Sequence, residues 1–326
     1  MNNLVELHLH LDGALSIDNC KKIAKIQNID ILSDSEISDI MIAKNCHNLN
    51  EFLTKFKFPL SLLQTTEGIK NAVKNLGDEL LAQGLIYAEI RFAPQLHLDK
   101  GLTQEDVVKA AIEGLNSTKL RSNLILCCMR GNNNHDLNME TVNIAKEYLG
   151  KGVCGIDLAG AEGLYPTKDY ENIFKYANEL GVPFTIHAGE ASGADSVYDA
   201  IRFGAKRIGH GVRSVEDTNV IRLIKENNIT LEICPTSNIC TGVYDKISDI
   251  PIKEFLDSGI NITINTDDPV ICNTTLKDEL NIVKSIFNLS YDDIIKLQLN
   301  AINASFASKE VKEEVIRIIN NQEEIW

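Results

Sequence analysis

His8 and His10 stand two residues apart in Glu6-Leu7-His8-Leu9-His10-Leu11-Asp12-Gly13. On an extended chain that spacing turns both imidazoles to the same side. A buried pair of this kind needs its ring nitrogens satisfied, either by ordinary hydrogen bonds or by a shared metal ion that takes one nitrogen from each. Three further places carry residues of similar capacity: His187 in Thr185-Ile186-His187-Ala188-Gly189-Glu190, His210 in Ile208-Gly209-His210-Gly211, and Asp267 and Asp268 in Asn265-Thr266-Asp267-Asp268-Pro269. Taken singly, each histidine reads as a hydrogen-bonded structural group and Asp-Asp-Pro as a solvated turn. Each, however, closes a short apolar run, and glycines at 189, 209 and 211 permit sharp departures from a strand. Adjacent aspartates on a regular strand face opposite ways, but Pro269 ends the ladder and lets both turn toward one cavity.

The elements that must position these groups follow from hydropathy patterning. Short β-branched, apolar runs occur at 4–9, 86–92, 123–129, 153–158, 184–187, 207–209, 230–233 and 261–265, with helical periodicity at 66–83, 104–120, 138–150, 168–180, 216–227 and 276–288. Alternating β and α units predict a parallel sheet, and eight strands predict its closure into a (β/α)₈ (TIM) barrel of the α/β class. The histidines and aspartates then fall at the ends of strands one, five, six and eight, on the rim where barrel enzymes keep their active sites. Extra helices are expected between strands one and two and at the C-terminus. The long connection after strand one carries Leu49, Phe52, Leu53 and Phe56 at helical spacing, a stripe that fits either core packing or an apolar lid over the barrel mouth. A capping-box pattern at Ser290 to Asp293 opens two apolar-periodic stretches that run to Trp326 and suit outer helices.

With 326 residues, 44% of them hydrophobic, the chain is expected to form a single domain spanning 1–326. A net charge of −14 spread along the sequence opposes binding to nucleic acid. There is no basic-then-apolar leader, and no apolar stretch approaches the roughly 18 residues that span a bilayer, so a cytoplasmic protein without membrane contact is expected. The eight cysteines lack a CxxC pair, which fits reduced, buried thiols. Asn-x-Thr triplets at 228–230 and 261–263 fall on strand-like runs and read as accidental.

Two histidines from one strand, a third histidine and a carboxylate make a mixed nitrogen and oxygen donor set that suits zinc, with a position left for water. That is a catalytic arrangement. Dinuclear hydrolases on barrels of this type carry a bridging modified lysine at the end of strand four; here that strand ends Ile156-Asp157-Leu158-Ala159-Gly160. One metal ion per chain is expected.

ELHLHLDGA at 6–14, DLAGAE at 157–162, HAGE at 187–190, GHG at 209–211, CPTSN at 234–238 and NTDDP at 265–269, in that order, resemble the adenosine deaminase family over essentially the whole chain. The resemblance implies zinc bound by His8, His10, His187 and Asp267, with His210 and Asp268 orienting and deprotonating the attacking water. It implies that Glu190 donates a proton to purine N1, its pKa raised by burial, and that Gly160 offers a backbone N–H to N3. Asp12 would accept a hydrogen bond from the ribose 5′-hydroxyl, or else only cap the segment that follows; a 5′-phosphate there would meet a like charge. His10 and Asp268 would also touch the substrate.

The implied partner is a small purine nucleoside, adenosine or 2′-deoxyadenosine, converted to inosine or 2′-deoxyinosine and ammonia. Deaminases of free adenine tend to carry a longer Glu at the position of Asp12, so a deaminase of adenine, AMP or a modified purine is the alternative within the superfamily. A non-catalytic zinc-binding barrel is the alternative from another class. It is disfavoured because His210, Glu190 and Asp268 are not needed to hold zinc. The resemblance also favours the lid reading of the 49–56 stripe.

Overall fold

Eight parallel strands form where the apolar runs lie: β1 (Leu4–His10), β2 (Leu85–Phe92), β3 (Arg121–Met129), β4 (Val153–Ala159), β5 (Thr185–Ala188), β6 (Arg207–His210), β7 (Thr230–Ile233) and β8 (Asn261–Ile264). The computed structural model describes residues 2–44 and 46–321. Neighbours in sequence pair in the orders β1-β2-β3-β4 and β5-β6-β7-β8. Two narrow seams close the ring. Ile156 donates to Pro183 (3.0 Å) between β4 and β5, and between β8 and β1 Asp267 donates to His8 while His10 donates to Asp267 (2.8 Å each). The expected barrel is therefore present.

Helices return the chain between strands, among them Thr66–Ala82, Gln104–Leu115, His135–Glu147, Glu171–Leu180, Thr218–Glu226 and Leu276–Ile286. The segment expected to be helical to residue 120 stops at Leu115, where Asn116-Ser117-Thr118 compete for the backbone: the Ser117 hydroxyl bonds the Glu113 carbonyl (2.7 Å). The segment expected at 138–150 lies about one turn earlier. Helices Ile17–Ile26 and Asp34–Met41 are among the extra helices expected between β1 and β2, whereas Ala194–Phe203, Pro235–Cys240 and Ile252–Asp257 lie outside the helical stretches read from the sequence. The capping box at Ser290 opens Tyr291–Ala304, and Lys309–Asn320 follows; residues 322–326, Trp326 included, lie outside the described residues.

One large apolar cluster joins strands to helices, with Ile90, Leu126, Ile156, Val73, Val108 and Phe174 among its buried members. Polar residues fill part of the barrel's inside. Arg91 and Arg207, both buried, bond Glu232 through separate oxygens (2.8 and 2.6 Å); Arg91 also bonds Asp157 (2.8 Å), and Arg207 pairs with Glu89. Buried charges are tolerated only when paired in this way.

Candidate active site

β1 brings His8 and His10 to the cavity side, and β5 brings His187 across from them. The Nε2 atoms of His8 and His187 lie 3.0 Å apart, and those of His10 and His187 3.3 Å. Asp267 Oδ1 lies 3.2 Å from His8 Nε2 and 3.3 Å from His10 Nε2. A tetrahedral zinc site with bonds of about 2.0–2.1 Å separates its ligand atoms by about 3.3 Å. Four of the six separations among these groups thus match such a centre. The set whose ligand atoms all lie within 4.8 Å of one another is His8, His187, His210 and Asp267, with His210 in the place expected for His10; His10 Nε2 stands beside it, 3.3 Å from both His187 and Asp267.

The far nitrogens explain the orientation. His8 Nδ1 lies 2.8 Å from Glu232 Oε2 and His187 Nδ1 2.8 Å from Asp157 Oδ2, which leaves both Nε2 lone pairs directed inward. Burial opposes charge on Glu232 and Asp157. Arg91 and Arg207 around Glu232, and His187 and Arg91 around Asp157, outweigh it and hold both carboxyls well below their usual range. Asp267 points its carboxylate the same way by adopting a left-handed backbone (φ +62), and Ser237 binds its other oxygen (2.6 Å). β8 ends at Ile264 and Asp267 adds an isolated bridge to Leu9, two residues before Pro269; the left-handed backbone of Asp267 turns the chain where both aspartates line the cavity.

His210 is likewise left-handed (φ +58), a conformation a non-glycine residue keeps only where its surroundings enforce it. Asn238 meets its Nδ1 at 3.1 Å, while Nε2 has no partner and lies 3.7 Å from both Glu190 Oε2 and Asp267 Oδ2. Burial lowers the His210 pKa to about 4, so the ring is neutral. Burial, then the charge of Asp267, lifts Glu190 to about 8. Asp268 is pushed well above its ordinary value by burial and by Asp267, Asp12 and Glu190, and burial raises Asp12 to about 6. Asp12 and Asp268 each keep one buried carboxyl oxygen unpaired. Gly209 stays extended, contrary to expectation; its lack of a side chain makes room, since a Cβ would meet His8 Cε1 at 2.9 Å.

These groups open on a cavity of about 290 Å³, at the small end of ligand sites. Gly160 (φ +106) lines it, as do Asp12, Glu190, His210 and Asp268. Leu49, Phe52, Leu53 and Phe56 line it too, and Phe52 and Phe56 meet edge to face (5.9 Å). Leu49, Phe52 and Phe56 also pack with Ile271 and Cys272, so the stripe is core and cavity wall at once. His8 lies behind this surface. Sequence reasoning missed Glu232, Asp157, Ser237 and Asn238 as partners of the candidate ligands; the one available signal was an acid inside each apolar strand, as in Thr-Leu-Glu-Ile.

The sequence profile described as "Adenosine deaminase" matches residues 3–322. The chain belongs to the adenosine deaminase family. It is a hydrolase of the amidohydrolase superfamily. Among the family's curated members, it is 43% identical over 98% of its length to adenosine deaminase of Haemophilus ducreyi (strain 35000HP / ATCC 700724), covering 96% of that protein. It is 41% identical over 95% of its length to that of Clostridium botulinum (strain Loch Maree / Type A3), covering 94%. Among solved structures it is similar to adenine deaminase from Arthrobacter aurescens (TM-score 0.87, 26% identity, 98% of each chain covered). It shares its fold with the Arabidopsis N6-mAMP deaminase (TM-score 0.87, 24% identity, 98% of each chain covered). No described helix is long and apolar enough to cross a membrane.

Proposed function

We propose that this family member deaminates adenosine and 2′-deoxyadenosine hydrolytically, with one zinc ion held by His8, His10, His187 and Asp267. The observation that carries the reading is the meeting of three imidazole Nε2 atoms and Asp267 Oδ1, each 3.0–3.3 Å from two of the others, beside the cavity that Glu190 lines. When bound, zinc supplies a Lewis acid that brings the pKa of water to about 7.

His210 and Asp268 orient the attacking water and take its proton. Burial and its acidic neighbours push Asp268 toward the neutral form, and a cation at the cluster pulls it back toward the carboxylate that accepts the proton. Glu190, raised to about 8, carries a proton near neutrality and gives it to ring N1, which draws electrons from C6 and opens that carbon to attack. Water oxygen bonds C6, the amino group leaves as ammonia, and inosine remains. Gly160 contributes a backbone N–H to N3. Asp12, with an unpaired oxygen, accepts the 5′-hydroxyl and repels a phosphate.

The ultraviolet change on mixing metal-loaded protein with adenosine, adenine and AMP in parallel, with ammonia assayed alongside, tests this reading. Adenosine is expected to turn over fastest. A preference for adenine would overturn the role of Asp12, and zinc-loaded protein that deaminates no purine would overturn the activity.

A further inference from the structure

The chain leaving β5 turns sharply to put Glu190 in the cavity, and the turn is wrapped around a single carboxylate. Glu162, from the loop after β4, accepts the N–H of Gly189 (2.8 Å) at Oε1 and those of Glu190 (3.1 Å), Ala191 (2.7 Å) and Ser192 (2.9 Å) at Oε2. The Ser196 hydroxyl donates to Oε1 and is bonded to Thr167 (2.7 Å). Successive amides converging on one group form a nest, and the left-handed backbone of Gly189 (φ +72) bends them together. Arg130 fixes the start of the same segment through the His187 carbonyl (2.6 Å).

Glu162 is 1% exposed and does not line the cavity, so it does not reach a substrate. Turn amides are ordinarily satisfied by water or neighbouring backbone. Burying a carboxyl group is costly unless its lone pairs are filled, and here the segment that carries Glu190 fills them.

We infer that Glu162 is a positioning residue for Glu190: by gathering the amides of 189–192 it sets where the Glu190 carboxyl meets ring N1. This rests on the reading of Glu190 as proton donor. A glutamine at 162 keeps the size but turns an N–H toward amide donors, which loosens the nest. Misplacing a reacting group by about 1 Å costs on the order of 10²-fold in rate.

Glu162→Gln, Glu190→Gln and the double variant, all metal-loaded, test this. Glu162→Gln is expected to lose on the order of 10²-fold in kcat with KM within about 3-fold and metal content unchanged. The double variant should be no slower than Glu190→Gln alone. Inhibitor binding gives a readout apart from turnover. A nucleoside with a tetrahedral hydroxyl-bearing carbon for C6 and an N–H at ring position 1 should bind far more weakly to Glu162→Gln, while one with C–H in place of N1 binds as to wild type.

Equal weakening of both inhibitors, a loss that Glu190→Gln does not absorb, or kcat close to wild type would overturn the inference. If Glu162→Gln does not fold, Ser196→Ala decides it: a few-fold fall in kcat at constant KM supports the proposal, and no change overturns it. Wild-type turnover by Glu190→Gln would remove the proton-donor role and the inference with it.

Discussion

Gly13 lies so close to Asp268 that a Cβ at that position would fall 1.8 Å from its Oδ1. Gly13→Ala is therefore expected to displace Asp268 and lower kcat by about 10-fold or more while zinc content, measured by elemental analysis, is retained. Glu232 acts from behind the surface. Glu232→Gln should weaken zinc binding by about 10- to 100-fold in competition with a chelator. It should also lower unfolding stability by about 3–5 kcal/mol, because Arg91 and Arg207 lose a buried counter-charge. Residues that announce chemistry by type, such as His8, His10, His187, His210 and the Asp267-Asp268 pair, were legible because imidazole and carboxyl groups at strand ends are poor core. Ser237, Asn238 and Glu162 were not, because their partners lie 27 to 34 residues away along the chain and depend on closure.

Among the elements, the connection from β1 to β2 departs most from a plain barrel. Its Phe56 is half-buried and lines the cavity, so Phe56→Ala is expected to raise KM for adenosine several-fold with little effect on kcat, as measured by steady-state kinetics. His97, just after β2, ties this connection down by bonding the Leu63 carbonyl (3.0 Å) from a buried site. Burial lowers its pKa to about 4, below the unfolded value of about 6.5. The folded protein thus takes up fewer protons here than the unfolded chain. The resulting stability, about 3 kcal/mol, is complete above about pH 6.5 and is lost as pH falls toward 4. Denaturant unfolding at pH 7 and pH 5 should show this loss, and His97→Gln should diminish it. Strands were easier to read than helices, because short β-branched runs leave few alternatives. Helix Asp34–Met41 carried a legible capping box at Ser33 and Glu36, whereas six-residue helices such as Ile252–Asp257 are too short for a period to register.

At the scale of the molecule, the single-domain reading predicts one cooperative transition in denaturant, with fluorescence and circular dichroism tracing the same curve. The ring itself was legible from the count and order of the runs, but the two places where it is joined were not, since no local pattern marks them. Between β8 and β1 the join rests on Asp267, His8 and His10, held by two backbone bonds. The same three residues offer their side chains to one point in the cavity. A cation gripped there acts as a rivet across one of the barrel's two narrow welds, so loading it should raise the melting temperature and slow solvent exchange of the Asp267 and His10 amides together.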